Sequence, residues 1–387
     1  MRNDNGNLKP FEGIDLKSFF ASKIQKAENE EKIELSVNGS SIKKYNEIFE
    51  KIQEKSKEKI EFLQPIITIS DVPLLYPNSI AVIQGSKGVH KSRFVETIAS
   101  ALLNKTNENI IGLEVSKQDF FVVYFDSERN LQDQLPFAVQ KIKTRAGYQL
   151  DEFPDNFYCT SFVNSNRNQR LKDFNSLIEE LRSKAGNKHL VIIIDILTDL
   201  IGSFNDVIGS LTLTDYLNDI INQFDCSIIG VIHQNPVINS EKARGHLGTE
   251  IVNKASSVIQ IALDDDFICL KFLALRGSKL PKEKIYLKYD ESIGGLIFVD
   301  KEEIITHNTG NQEFFEKVYE ILKDKPMNRK TLIETLKDVT EFSESTIKRK
   351  LQDIENRDFG GRKIVKSKQK NQTLYSINSK VDEQFEF

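Results

Sequence analysis

No stretch of this 387-residue chain approaches the roughly 20 consecutive apolar residues of a membrane-spanning helix, which predicts no insertion into a bilayer and no membrane partner. The first residues, Met1-Arg2-Asn3-Asp4-Asn5-Gly6, are polar and lack the apolar segment of a secretory signal, so a cytoplasmic location is expected. Cysteine is scarce. Cys159, Cys226 and Cys269 lie far apart without metal-ligand spacing, two of them in apolar runs, and read as buried free thiols rather than as a disulfide framework or a zinc site. Net charge is also small, at −4, which argues against a surface that coats nucleic acid throughout but leaves local asymmetry open. No internal repeat is present, and nothing of low complexity beyond a general excess of Lys, Ile and Asn.

What the chain does contain is a globular composition, 39% hydrophobic and 28% charged, at a length that suits two folded units and a tail. Residues 1–65 read as an N-terminal helical arm or cap, because Ile42, Tyr45, Ile48 and Ile52 recur at helical spacing within the charged stretch Ser41–Lys55. Over 66–300, short apolar runs alternate with amphipathic helices. The expected strands are Ile80–Gln84, Phe120–Asp126, Phe157–Phe162, Leu190–Asp195, Ile228–His233 and Val258–Leu263, followed by an antiparallel extension from Phe267 to Val299. That pattern predicts an α/β fold with a mostly parallel sheet flanked by helices. Residues 301–311, rich in charge and turn formers, read as a linker. Residues 312–380 give three helix-like and two strand-like stretches, the plan of a small winged helix, and 381–387 form an acidic tail.

One motif carries the chemistry. Gly85-Ser86-Lys87-Gly88-Val89-His90-Lys91-Ser92 follows a buried strand and opens a helix, the context that a Walker A phosphate loop requires. Such a loop needs backbone N–H groups turned into a concavity, a lysine that reaches the β and γ phosphates and a hydroxyl for Mg²⁺, roles that fit Lys91 and Ser92. Arg93 completes the expected nucleotide-binding set. His90 stands where the pattern has glycine, so its side chain must either tolerate the local backbone or point away from the nucleotide.

Two strands end on acids: Val122-Val123-Tyr124-Phe125-Asp126-Ser127-Glu128 and Ile192-Ile193-Ile194-Asp195. In open α/β sheets ligands sit at the carboxyl ends of strands, which predicts Asp195 as the Mg²⁺-holding Walker B acid and Glu128 as the base that orients the attacking water.

This order of motifs, together with the strand ending in His233-Gln234, resembles the RecA-like ATPases, and among them it is most similar to the RepA-like hexameric helicases of plasmids and mobile elements. The resemblance covers Ile67–Val299. It implies ATP and Mg²⁺ as cofactors, a ring-shaped homo-oligomer such as a hexamer, and a role for His233 and Gln234 in sensing the γ-phosphate. It also implies a mobile DNA- or subunit-contacting loop over Lys242–Thr249, with Arg244 as a DNA contact, and a basic finger at Arg276 and Lys279 that acts on the neighbouring subunit's nucleotide.

In the C-terminal stretch, Ile347, Leu351 and Ile354 form an apolar stripe on a helix that Ser343 caps, while Lys348, Arg349 and Lys350 occupy other faces. Lys363, Lys366 and Lys368 add a basic wing around Gly360-Gly361, so this module is expected to contact duplex DNA. The resulting expectation is a DNA-dependent ATPase of the helicase or translocase type, working in replication or mobilisation of an accessory element with a partner protein from that process. An ATP-switched DNA-binding initiator or regulator without unwinding is the competing reading. A scaffold that has lost hydrolysis is a third, kept open by His90.

Overall fold

Alternate residues of each central strand face opposite sides of one sheet, and both sides are covered by helices. Ala81 and Ile83, Val191 and Ile193, Ile229 and Val231 belong to one core, packed by Phe94, Val95, Ile98 and Ile142. Ile80 and Val82, Ile192 and Ile194, Ile228 and Ile232 belong to the other, packed by Phe174, Ile178, Leu213, Leu217, Leu247 and Ile251. The period of two is the geometry of a pleated strand, and burial on both faces is why these runs are continuously apolar.

A computed structural model of the chain describes residues 39–106, 108–236, 241–264, 267–355, 357–369 and 372–379. It divides into two compact units, 1–62 and 63–387. In the first, helix α1 (Gly39–Lys55) carries the expected stripe, with Tyr45 67% and Ile52 62% exposed. The rest of the predicted N-terminal arm, residues 1–38, lies outside the described residues, as does the predicted tail over 381–387.

The second unit begins with β1 (Ile67–Ile69) and β2 (Val72–Leu75), which join β4 (Leu113–Val115) in a small sheet that sequence patterning did not anticipate. The main sheet contains β3 (Ile80–Gly85), β5 (Phe120–Asp126), β6 (Phe157–Ser161), β7 (His189–Asp195), β8 (Cys226–His233), β9 (Ser257–Asp264), β10 (Phe267–Leu275), β11 (Ile285–Asp290) and β12 (Gly295–Phe298). Its order is β12-β11-β10-β9-β3-β8-β7-β5-β6. The six strands from β9 to β6 run parallel, and β10, β11 and β12 are antiparallel additions. Helices α2 (Lys91–Leu102), α3 (Gln134–Arg145), α4 (Arg167–Ala185), α5 (Val207–Gln223) and α6 (Gly245–Lys254) cover the faces.

Strand β8 is inserted between β3, which leads into the glycine-rich loop, and β7, which ends on Asp195. Register aligns Gly85 with His233 and Asp195 with Asp126, so the loop, the acids and the polar pair all emerge at one edge. This is the RecA-like α/β arrangement expected from the motif order.

Beyond the sheet come α7 (Lys301–Leu322), β13 (Met327–Asn328), α8 (Arg329–Val339), α9 (Glu344–Ile354), β14 (Arg362–Gln369) and β15 (Gln372–Ser379). The order is helix, strand, helix, helix, hairpin, closed on a core of Phe314, Phe315, Leu332, Leu336, Ile347, Leu351 and Tyr375. One expectation is corrected. Residues 301–311 are not a linker but the first half of α7. Asp300 Oδ1 accepts from Glu303 N at 2.7 Å, Glu302 and Glu303 favour the positive end of the helix, and Phe314, Phe315 and Val318 anchor its second half. Gly310 in the middle costs only about 1 kcal/mol against that burial. Gly360-Gly361, around which the basic residues were expected, precede the hairpin. They adopt φ of +66° and +83° in the turn before β14, and residues 370–371 lie outside the described residues.

Candidate functional site

Between β3 and α2 the chain must turn within a few residues, and Gly85 and Gly88 make this possible. A Cβ at Gly85 would collide with Ile261 O of β9, and Gly88 adopts φ +82°. His90 occupies the left-handed region at φ +65°, where the motif has glycine, and its ring stacks on Tyr289 with centroids 5.4 Å apart. Of the two possibilities at this position, the side chain tolerates the local backbone. Holding a non-glycine residue there costs roughly 1–2 kcal/mol.

Lys91 is buried and its Nζ donates to Ser86 O at 2.6 Å, which folds the ammonium into the loop. Burial lowers its pKa, while Asp195 and Glu128 pull it back up. Arg93, expected to complete the nucleotide-binding set, pairs with Glu96 at 2.8 Å one turn further along α2.

Asp195 is buried at the end of β7. Its Oδ2 accepts from the Tyr124 hydroxyl at 2.9 Å, and its Oδ1 is buried without a hydrogen-bond partner. Burial pushes its carboxyl above the ordinary range, opposed by Arg129, Ser92 and Tyr124. Asp195, with its orphaned oxygen, and Ser92, which acts on that carboxyl, form the kind of donor set that Mg²⁺ uses, since that ion typically takes one or two protein oxygens and fills its remaining positions with phosphates and water. Among the described residues there is no cluster of three His, Cys, Asp or Glu side chains that could hold a metal by itself.

Three residues that sequence reasoning missed surround Asp195: Tyr124, Arg129 and Glu96. Arg129 ion-pairs with Asp126 at 3.0 Å and with Glu96, and lies 3.9 Å from Asp195 Oδ2. Burial disfavours its charge, but Tyr124, Glu96 and Asp195 outweigh this and raise its pKa. Glu96 is itself raised by burial, against the pull of Arg129 and Arg93. The available signal was Glu96, a lone acid on the apolar face of α2.

Glu128 stands in front of this network with its side chain 54% exposed. Its Oε1 lies 3.7 Å from His233 Nε2, and His233 holds its pKa below the usual carboxylate value. Gln234 N donates to Gly85 O at 3.0 Å, and its side-chain oxygen accepts from Gln260 of β9. The site thus brings together Lys91, Ser92, Asp195, Glu128, His233 and Gln234. The following loop returns to it, since Arg244 N donates to His233 O at 2.8 Å while the Arg244 guanidinium lies over the Phe204 ring.

Arg276 is elsewhere. It follows β10, its amide donates to Ser256 O, and its guanidinium donates to Asn253 O at the end of the sheet opposite Gly85. In the C-terminal module Lys348 pairs with Glu344 at 2.7 Å, Lys350 lies over Phe314 and Phe342, Lys363 is 3.7 Å from Asp358, and Lys366 pairs with Glu355. Lys368 is exposed, and Arg349 faces a cavity beside the phosphate loop. Exposed ion pairs are worth about 0–1 kcal/mol, so phosphate oxygens compete with them at small cost.

The fold and the loop define a RecA-like α/β chain with a glycine-turned loop between β3 and α2. The family model of Elongator subunit Iki1 matches residues 92–274, less than half of the chain, and that family is not the RepA-like helicase group expected from the motifs. Among solved structures, a KaiC-like protein from the hyperthermophilic archaeon Pyrococcus horikoshii OT3 is similar at 12% identity, covering 62% of this chain and 100% of that one with a TM-score of 0.41. No curated protein matches. The RecA-like assignment rests on strand order and register. Among the described residues, no helix is long and apolar enough to cross a membrane.

Proposed function

We propose that the protein is a Mg²⁺-dependent ATPase of the RecA-like class that acts on DNA in the cytoplasm, as a ring-forming helicase or translocase of the RepA-like kind. The observation that carries the ATPase reading is the buried Asp195, whose Oδ1 has no hydrogen-bond partner and whose carboxyl is coupled to Ser92 and Lys91 at the end of a glycine-turned loop. Loop amides and Lys91 hold the β and γ phosphates, and Ser92 and Asp195 hold Mg²⁺. When bound, the ion would neutralise charge on the phosphates. Glu128 orients the attacking water and accepts its proton, and His233 and Gln234 lie where loss of the γ-phosphate is felt. Arg276, remote from its own loop, serves the neighbouring subunit's nucleotide. The C-terminal module contacts duplex DNA through its basic wing, and the helicase serves replication or mobilisation of an accessory element together with a partner protein.

The test is steady-state ATP turnover of the purified chain with and without single-stranded DNA, with Glu128→Gln as control. Stimulation that disappears in the variant supports a DNA-driven motor. Tight ATP binding without DNA-dependent turnover supports the second reading, an ATP-switched DNA-binding regulator, which is favoured by the position of α9 beside the phosphate loop.

A further inference from the structure

A cavity of about 660 Å³ lies between the phosphate loop and the C-terminal module, walled by His90, Leu263, Tyr289, Glu303, His307 and Arg349, among others. The volume falls in the range of small-molecule sites. It opens one residue from Lys91, at the ring of His90, which stacks on Tyr289. Leu263 and Tyr289 leave 56% and 37% of their surface open, the kind of flat apolar wall on which a heterocycle packs.

Of the cations at this cavity, Lys288 is already paired with Glu303 at 2.6 Å. Arg349 has no carboxylate partner among the described residues. It sits on α9 between Ile347 and Leu351, both buried in the core of the C-terminal module, so its backbone is fixed while its guanidinium faces the cavity. A planar guanidinium both stacks on heterocycles and donates to ribose and base acceptors.

We propose that this cavity seats the base and sugar of the nucleotide whose phosphates occupy the loop, and that Arg349 contacts them and thereby ties α9 to the ATPase core when nucleotide is bound. The inference rests on the nucleotide-binding reading above. Because α9 also carries Lys348 and Lys350, nucleotide occupancy and use of this helix on duplex DNA oppose each other, and by linkage the opposition is reciprocal.

The test is calorimetric titration of the full chain with Mg·ADP and with Mg·pyrophosphate, which shares the phosphates but lacks the nucleoside. ADP is expected to bind more tightly, and Arg349→Ala to shrink that advantage by about fivefold, the size of one stacking or donor contact, with Arg349→Lys in between. Unchanged pyrophosphate affinity in both variants shows the loop still folded. Hydrogen exchange over 344–354 is expected to slow with ADP and not with pyrophosphate. An ADP advantage that Arg349→Ala leaves intact, or exchange on α9 that ignores ADP, overturns the inference. Failure of either ligand to bind the unmodified protein overturns the phosphate-loop reading and the inference with it.

Discussion

The Tyr124 hydroxyl, on β5, donates to Asp195 Oδ2 at 2.9 Å on the neighbouring β7, and so decides which oxygen of that carboxylate remains free. Both residues are buried, and Oδ1 is left without a partner. Tyr124→Phe keeps the ring in the core but releases Oδ2, so the carboxylate loses its fixed aim. A hydrogen bond to a charged group contributes about 1.5–3 kcal/mol, and only part of that bears on the ion. The Mg²⁺ concentration for half-maximal turnover should therefore rise about three- to tenfold, while nucleotide affinity measured without Mg²⁺ stays constant. A magnesium titration checks this, and an unchanged midpoint would remove Tyr124 from the site.

Glu128 and His233 make a prediction about pH. A base must be ionised to accept a proton, so turnover falls as acid protonates Glu128, and the position of that limb follows its pKa. The His233 ring, 3.7 Å away, is the foremost cause holding that pKa down. Removing it in His233→Ala lets burial push the carboxyl back up toward its ordinary value, against Lys91 and Arg129, which still hold it down. The acid limb of kcat against pH should thus move to higher pH in the variant, with the neutral plateau altered separately if His233 also senses phosphate. Profiles of both proteins between about pH 4 and 8 decide the matter. A limb that moves to lower pH would mean that His233 does not hold the Glu128 carboxyl in its ionised form.

How much of this was legible beforehand depends on whether a feature is local in the chain. The loop Gly85–Ser92 and the acids Asp195 and Glu128 were readable because each closes a single continuous apolar strand, and strand ends are where open sheets expose chemistry. Tyr124, Arg129 and Glu96 were not, because they come from β5, the turn after it and α2, and only the pairing of β5 with β7 brings them to Asp195. The basic run Lys348-Arg349-Lys350 read as one DNA-facing group. Successive helical residues point about 100° apart, and the three meet Glu344, the loop-side cavity and two phenylalanine rings respectively. At 301–311 the composition misled, since Asn308 and Gly310 look like turn formers until the Asp300 cap and the buried Phe314 and Phe315 are in place.

The position of Arg276 fixes what kind of experiment can test it. Leu275 pairs with Ser257 at the start of β9, whereas Gly85 pairs with Ile261, four residues and about 13 Å further along. Arg276 therefore cannot complete its own chain's site, and its proposed role requires a second subunit. Arg276→Ala and Glu128→Gln should each depress turnover of the homogeneous assembly by about 10³-fold or more. Mixed at equal amounts, they should regain about a quarter of full activity, the fraction of interfaces that combine an intact Glu128 with an intact Arg276 in a head-to-tail ring. A mixture as inactive as its components would leave the finger without support.

His90 tests whether the phosphate loop keeps its shape for steric reasons or for the stack on Tyr289. At φ +65° glycine is unstrained, so His90→Gly gives up the ring contact but relieves the backbone, and nucleotide affinity should change by no more than about threefold. His90→Val puts a β-branched side chain in the same left-handed position, where the penalty is about 1–2 kcal/mol or more. The loop then relaxes away from the conformation that points its amides inward, and affinity for Mg·ADP should fall about tenfold or more. Calorimetric titration of the two variants separates the contributions. Loss in the glycine variant equal to that in the valine variant would mean that the His90 ring itself, packed on Tyr289, holds the loop open, rather than the backbone turn.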